Sequence, residues 1–124
     1  MSISNYAELK MLEHATGVAA WTMPTTLYVK LHLGDAGEAG TANAAVNSTR
    51  DSLAWGAAAS GSIATTGSPS AEWVSVSTTE TYTHWSLWDN LTAGNCIWTG
   101  ALSSSASVAA GDTFQITTLT LTLD

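Results

Sequence analysis

The sequence predicts a mostly β fold, an antiparallel β-sandwich of jelly-roll-like form with one short N-terminal α-helix. Short runs that alternate apolar and polar side chains predict strands, and turn residues such as Gly, Ser, Asn and Pro separate them. Helical spacing of apolar residues appears only near the N-terminus. We expect one domain over residues 1–124, which is long enough to bury about two-thirds of its unfolded surface.

The helix is predicted over Tyr6–Thr16, or about residues 5–17 with its ends. Ser4 and Asn5 are both candidate caps, and Asn5 with Glu8 has the spacing of a capping box. Gly17 is well placed to end the helix. Apolar positions repeat at helical spacing: Leu9, Leu12 and Ala15 or Thr16. We interpret the helix as a lid over one open end of the β fold, or alternatively as a docking helix for a partner.

The first predicted long strand begins at Thr26 and is half-buried. One face carries Leu27, Val29, Leu31 and Leu33, and the other carries Tyr28, Lys30 and His32. A long, flexible Gly- and Ala-rich loop, Gly34–Asn47, follows and contains Asp35 and Glu38. The two carboxylates suit a solvated or partner-facing loop better than a Ca²⁺ site, because Ca²⁺ takes about six to eight oxygen ligands.

Three shorter runs are predicted between this loop and the middle of the core. They contain Leu53, Trp55 and Ala57, then Ser62–Thr66, then Glu72–Val76. In the third run Trp73 lies on one face, with Val74 and Val76 on the other.

The centre of the predicted core is a hairpin over Tyr82–Leu102. Its arms are Thr83–Trp88 and Cys96–Leu102, joined by the polar connection Asp89–Asn95. Trp85 and Leu87 share one face of the first arm, and His84, Ser86 and Trp88 share the other. In the second arm Trp98 and Leu102 share a face with Cys96 and Gly100. Three of the six tryptophans lie here, and each can bury about 150–250 Å².

The last strand, Thr113–Leu123, changes face halfway, after the small polar segment Ser103–Ala110. Phe114 and Ile116 occupy even positions, whereas the later leucines occupy odd ones. A period of two cannot change parity without an irregularity, so we predict a bulge at Thr117–Thr118 or a strand that passes between sheets there. The predicted core residues are Leu27, Val29, Leu31, Trp55, Trp73, Trp85, Leu87, Trp98, Leu102, Phe114, Ile116 and Leu121.

The charge inventory excludes several kinds of partner. Only 10% of the residues are charged, against about 25% in ordinary soluble domains, and the net charge is −7. Lys10, Lys30 and Arg50 are the only Lys and Arg residues, too few to neutralise a phosphate backbone, so we expect no nucleic-acid partner. No run reaches the ~20 apolar residues of a membrane span, and we expect a protein made in the cytoplasm. The single Cys96 is predicted to be buried and inert.

Neither a catalytic motif nor a cofactor motif is present. His14, His32 and His84 fall in different predicted elements without ligand-type spacing. We therefore expect no enzyme activity, no cofactor and no metal site. Among the tryptophans, Trp21 and Trp88 are the candidates for an exposed sugar-stacking platform, because they lie in a connector or opposite the core face.

Eight segments in order resemble a family of short tailed-bacteriophage virion proteins that are labelled tail fibre or capsid decoration proteins. The segments are Met1–His14, Thr22–His32, Gly34–Gly40, Trp55–Ala59, Thr83–Asp89, Cys96–Leu102, Val108–Phe114 and Leu119–Asp124. The resemblance spans nearly the whole chain.

This resemblance implies a structural protein of the virion. An acidic domain suits the outer capsid surface, so we expect a capsid decoration (cement) protein that binds the major capsid protein and stabilises the lattice. The alternative is a tail-associated fibre, adhesin or carbohydrate-binding module that binds tail proteins. We expect a homo-oligomer, with a trimer preferred. The predicted contacts are Tyr6, Leu9, Lys10 and Glu13 on the helix and Asp35 and Glu38 in the loop.

Overall fold

Within residues 1–123, which the computed structural model describes, the chain forms one helix and nine strands. They are β1 (Ser2–Ile3), α1 (Asn5–Ala15), β2 (Leu27–His32), β3 (Asp51–Leu53), β4 (Ser62–Ala64), β5 (Ala71–Trp73), β6 (Glu80–Trp88), β7 (Cys96–Val108), β8 (Phe114–Ile116) and β9 (Thr120–Thr122). The mostly β prediction with one N-terminal helix is therefore confirmed.

All of the sheets are antiparallel. A five-stranded sheet has the order β1-β7-β6-β2-β3, and two small sheets pair β4 with β9 and β5 with β8. Buried side chains of β5, β8 and β9 join those of β2 and β6 in one apolar cluster. The arrangement is sandwich-like, but this strand order does not establish the jelly roll that the sequence analysis expected.

The predicted core residues all lie in or against that cluster. Those inside it are Val29, Leu31, Trp73, Trp85, Leu87, Trp98, Ile116 and Leu121. Those half-buried and packed against it are Leu27, Trp55, Leu102 and Phe114. The cluster also contains Tyr82, which has no exposed surface and which the alternation in the sequence did not single out.

The central hairpin forms as predicted, between β6 and β7, but one face assignment is wrong. Leu87 pairs with Trp98, whereas Trp88 pairs with Cys96, so the register shifts at Ile97. Because neighbouring residues of a strand point to opposite faces, Cys96 lies on the face of Trp88 and not on that of Trp98. The bulge therefore allows Cys96 and Trp98 to be buried on different sides of the sheet.

β7 also extends further than predicted, through the Ser-rich segment to Val108. The register jumps from the pair His84–Ala101 to the pair Tyr82–Ala106. Residues 102–105 of β7 therefore lie opposite the single residue Thr83 of β6. Regular pairing of the two strands begins again at Ala106, and the alternation of the sequence does not indicate this.

The sheet is buried on both faces near His32, which corrects the half-buried prediction for β2. His32, Ser86 and Trp88 share the second face, and each is buried. The loop Gly34–Asn47 covers this face through its buried residues Ala36, Gly40 and Ala45, whereas Asp35 and Glu38 are exposed, as expected of a solvated or partner-facing loop. Leu33 N–H donates to the Asn43 carbonyl (2.8 Å), and Ala45 N–H donates to the Leu31 carbonyl (3.2 Å).

The change of face near the C-terminus is confirmed, in the form of a strand that passes between sheets. β8 pairs with β5, then the chain crosses at residues 117–119, and β9 pairs with β4. Ile116, just before the crossing, and Leu119, at its end, are both buried. The parity change therefore lets one C-terminal segment stabilise two small sheets.

Candidate functional site

Helix α1 is fixed to β7 at its first turn. Ser4 is the N-cap, and its Oγ accepts a hydrogen bond from Ala7 N–H (3.2 Å) and donates to the Cys96 carbonyl (2.5 Å). Ser4 N–H donates to the Ile97 carbonyl (3.0 Å). Of the two cap candidates, Asn5 is the first helical residue and Ser4 is the cap. Ala7 is the one residue of α1 that is fully buried.

After Ala15 the chain turns back along the helix. The backbone N–H groups of Val18 and Ala19 both donate to the Glu13 carbonyl, at 3.0 and 3.2 Å. Trp21 N–H donates to Nδ1 of His14 (3.1 Å), and the Trp21 ring meets the edge of Tyr6 with 6.4 Å between centroids. The connector at residues 16–26 is thus held beside α1.

Between α1, this connector, β7 and the C-terminal strand lies a cavity that we call the apolar groove, of about 600 Å³. Its wall residues include Met11, Trp21, Met23, Trp55, Trp98 and Leu121. Among residues 1–123 the wall contains no Asp, Glu, Lys or Arg side chain, and one imidazole, His14, which is engaged with the connector. This volume lies in the range of protein ligand sites, about 300–1,000 Å³.

Two indole groups of this wall lack hydrogen-bond partners. The Nε1 atoms of Trp55 and Trp98 are buried, and neither has an acceptor among residues 1–123. By contrast, Trp73 Nε1 donates to the Thr49 carbonyl (2.8 Å) and Trp85 Nε1 to the Ala101 carbonyl (3.1 Å). A buried donor without an acceptor costs about 1–3 kcal/mol, so such groups are rare in folded proteins.

The outer face of α1 points away from the domain and exposes two leucines. Leu9 and Leu12 are 62% and 63% exposed and lie one turn apart. The apolar repeat that predicted an amphipathic helix is therefore not the buried face. Lys10 and Glu13 flank it and form an ion pair of 3.1 Å. We call Leu9 and Leu12 the outer helix face.

Two of the predicted contact residues meet in a notch at the start of α1. Tyr6 and Glu38 both line this notch, together with Asn95. Glu38 also accepts a hydrogen bond from Ser2 Oγ (3.2 Å). Asp35 lies in a separate depression with Glu38 and His84, and its carboxylate accepts from Gly37 N–H (3.0 Å). The structure thus brings Tyr6 near Glu38 and leaves Leu9 apart from the loop.

The loop is positioned by a buried polar chain. His32 Nδ1 bonds the Ala42 carbonyl (2.8 Å), and its Nε2 bonds Ser86 Oγ (2.7 Å). Ser86 Oγ also accepts from Trp88 Nε1 (2.7 Å). Burial lowers the pKa of His32, and this outweighs the hydrogen bond to Ala42, which raises it. The neutral imidazole therefore donates from Nδ1 and accepts at Nε2.

Trp88 is not a platform for sugars, contrary to the expectation from its position. It is only 7% exposed, and the guanidinium of Arg50 lies 4.1 Å from its ring centroid. Arg50 Nη1 also donates to the carbonyls of Asn90 (2.6 Å) and Ala93 (2.7 Å). The covered ring holds the hairpin connection in place. Trp21 remains half-buried, at the apolar groove.

The groove residues Met11, Met23 and Leu123 were missed by the sequence analysis. Met23 and Leu123 are exposed although they are large and apolar. The signal was present in the connector, where Val18, Trp21 and Met23 interrupt a segment that otherwise has no strand or helix pattern. No group of three His, Cys, Asp or Glu side chains comes together within residues 1–123, and no helix there has the length and apolarity to cross a membrane.

Comparison with protein families identifies the class of this β-rich domain as a tailed-bacteriophage virion protein. Residues 2–124 match the family model described as podophage GP4 fiber I protein gp80. The chain belongs to this Gp80 family. No curated protein matches the sequence.

Proposed function

We propose that this protein is a fibre component on the outside of the virion, which attaches to a larger virion protein through α1 and the apolar groove. The observation that carries the proposal is the outward position of Leu9 and Leu12 on α1, where both are more than half exposed. The family description, a fibre protein, supports the fibre assignment.

Exposed apolar residues on and beside α1 support docking, because they include five of the ten large apolar residues that residues 1–123 expose. Met23 and Leu123 border the apolar groove, and Val18 lies in the connector beside α1. Removing a fully exposed leucine side chain from water gains about 1.5–3 kcal/mol, before the costs of association are subtracted. The outer helix face and the groove together would supply the apolar centre of an interface, with Lys10 and Glu13 at its polar rim.

A second candidate function is decoration of the capsid, in which the same surface binds the major capsid protein and the chain forms a homo-oligomer such as a trimer. The net charge of −7 favours this alternative, because an acidic domain is repelled by packaged DNA and is suited to the outer capsid surface. In that case each copy stabilises the assembled shell by mass action.

Co-sedimentation with particles that lack this protein tests both candidates. The untagged chain is mixed separately with heads and with isolated tails, and the copies bound per particle are counted. A small, fixed number of copies on tails supports the fibre function, and hundreds of copies on heads support decoration. Absence of binding to either would contradict the proposal.

A pair of variants tests the docking surface in the same assay. Leu9→Ser combined with Leu12→Ser is expected to remove binding without unfolding the chain, because both side chains are exposed. Val74→Ser is the matched control, since Val74 is 66% exposed and lies outside the groove and the helix. Equal binding by both variants would remove α1 from the interface.

A further inference from the structure

A second cavity, which we call the strand cleft, lies between β7 and the segment that follows it. Its volume is about 560 Å³. Residues 101–104 and Ala106 form one wall, and residues 114–120 form the other. A strand that shows its face to a cavity contributes every second residue, because neighbouring side chains point to opposite faces. Both walls contribute consecutive residues, so both present the edge of a strand to the cleft.

Neither edge has a strand beside it within residues 1–123. β1 pairs with β7 only at Trp98 and Thr99, and no strand pairs with the same edge beyond them. β8 and β9 pair on one side only, with β5 and β4. Between β8 and β9, the N–H groups of Thr117 and Thr118 have no hydrogen-bond acceptor in the described part of the chain. The cleft is therefore a gap between the five-stranded sheet and the two small sheets.

The floor of the cleft is apolar. Trp85, Phe114, Ile116 and Leu119 line it, and all four lie in or against the apolar cluster of the core. Among residues 1–123, no Asp, Glu, Lys or Arg lines this cavity. An occupant is therefore stabilised by apolar side chains on the side that faces the floor, whereas a charged side chain there would find no partner.

The two edges carry little of the usual protection against strand pairing. Charged residues, prolines and bulges commonly keep the edge of a sheet from pairing with another chain. Residues 101–107 and 113–122 contain neither a charged residue nor a proline. The bulge of β7 opposite Thr83 is the one such feature at this cleft within the described residues.

We propose that an extended, uncharged segment of another virion protein inserts into the strand cleft as a β-strand and pairs with both free edges. An extended polypeptide presents N–H and C=O groups on both of its sides, which is what two strand edges require. With strands ~4.8 Å apart, a rise of ~3.3 Å per residue and layers ~10 Å apart, a strand residue occupies about 160 Å³, so the cleft holds about three or four residues.

This site goes beyond the docking surface on α1, because the strand cleft and the apolar groove share no lining residue. A second copy of this chain is not suited to donate the strand. All nine strands within residues 1–123 are already paired in their own fold. β7 of a second copy is flanked by its own β6, so it cannot enter a gap between two edges. A partner segment that is extended before it binds meets neither obstacle.

β1 indicates the register of an inserted strand. It runs antiparallel to β7, and Met1 lines the cleft, so residues placed before Met1 would follow the free edge of β7. Ile3 pairs with Trp98 and packs against the apolar cluster. Because side chains alternate, the second and fourth residues before Met1 would face the apolar floor as well.

Two extensions of the full chain test whether the cleft accepts a strand. Val-Thr-Val-Thr placed before Met1 directs both valines to the floor. Pro-Thr-Pro-Thr is the matched control, equal in length and charge, because proline cannot donate to a ladder. Amide hydrogen exchange at Thr117 and Thr118 is expected to be at least about tenfold slower with Val-Thr-Val-Thr than with Pro-Thr-Pro-Thr. Equal exchange in the two chains would overturn the proposal.

The same two chains test whether a virion partner uses the cleft. A filled cleft cannot take a partner strand, so the Val-Thr-Val-Thr chain is expected to bind heads or tails that lack this protein at least about tenfold more weakly than the Pro-Thr-Pro-Thr chain. Equal affinity, or no binding by either chain, would overturn the proposal. A dimer of the unextended chain that only Val-Thr-Val-Thr dissociates would overturn it in favour of a second copy.

Discussion

The imidazole of His32 and the hydroxyl of Ser86 are joined by a hydrogen bond of 2.7 Å between Nε2 and Oγ, and neither residue has any exposed surface. The bond links β2 to β6, and the other side of the imidazole holds Ala42 of the loop. One buried side chain therefore connects the sheet to the segment that carries Asp35 and Glu38.

His32 is expected to make the folded state less stable at acid pH. Burial lowers its pKa in the folded chain below 6.5, and Lys30 and His84 lower it further, against the hydrogen bond to Ala42. The unfolded chain then binds more protons, so the free energy of unfolding decreases as pH falls below 6.5 and levels off below the folded pKa. Urea unfolding across this pH range measures the decrease.

The matched variant for that experiment is His32→Gln, which removes the titrating group. It is expected to flatten the pH dependence near 6.5 and to cost about 1–3 kcal/mol, because a buried hydrogen bond is lost. An unchanged slope in His32→Gln would show that another group is responsible.

Gly100 is expected to tolerate no side chain. A Cβ built there would collide with the ring of Trp85, since Gly100 and Trp85 are cross-strand partners. Gly100→Ala should therefore reduce the free energy of unfolding by about 1–3 kcal/mol, as overpacking does in other cores. At Gly56 the nearest atom would be 3.5 Å from the added carbon. Gly56→Ala should therefore change the free energy of unfolding by less than about 0.5 kcal/mol. Equal losses at both positions would contradict this.

Cys96 is expected to be inert towards thiol reagents in the folded chain. Desolvation by burial raises its pKa to about 11 from an ordinary value of 9.0. The thiolate is the reactive form, so labelling with a chromogenic disulfide at pH 8 should proceed only as fast as the chain unfolds. Because the folded pKa is the higher one, stability should be lost as pH rises from 9 towards 11. Rapid labelling in native buffer would contradict the burial.

The leucines of the outer helix face and the core residues should differ sharply in their effect on stability. Leu9→Ala and Leu12→Ala should change the free energy of unfolding by less than about 0.5 kcal/mol, because both side chains are exposed. Leu27→Ala and Trp98→Ala should each cost about 2–5 kcal/mol. Thermal or urea unfolding measures all four, and a large loss at Leu9 would mean that α1 is buried in a way the structure does not show.

Arg50 is expected to hold the connection of the central hairpin. Its guanidinium donates two hydrogen bonds to carbonyls of Asn90 and Ala93 and covers Trp88. Arg50→Met should cost about 1–2 kcal/mol and speed amide exchange within Asp89–Asn95. Lys10→Met is the control, because the Lys10 ion pair is exposed to solvent and is expected to contribute little.

Much of the fold could be predicted because alternation reports which side chains share a face. Val29 and Leu31 were placed correctly, and so was the crossing of the last strand, which a change of parity requires. The register shift at Ile97 could not be predicted, since Cys96, Ile97 and Trp98 are all apolar and show no alternation in which a change of parity could be seen. The same limit explains the misplaced face of Cys96.

The candidate site was less predictable, for a different physical reason. The repeat of Leu9 and Leu12 indicates a helix face but not whether this chain or another protein covers it. The groove depends on Met23, Trp98 and Leu123, which are far apart in sequence and meet only through the path of the connector. No pattern within a single segment reports such a meeting.

Leu123 borders the apolar groove, whereas Met1 lines two other depressions, so the two ends of the described chain lie at different surfaces. A purification tag or a displayed antigen fused at the C-terminal end would crowd the surface proposed for docking and imitate a loss-of-function mutation. Cargo intended for display on the particle is better inserted in the exposed turn around Gly67, whose residues do not line the groove. Attachment and presentation would then use different parts of the molecule.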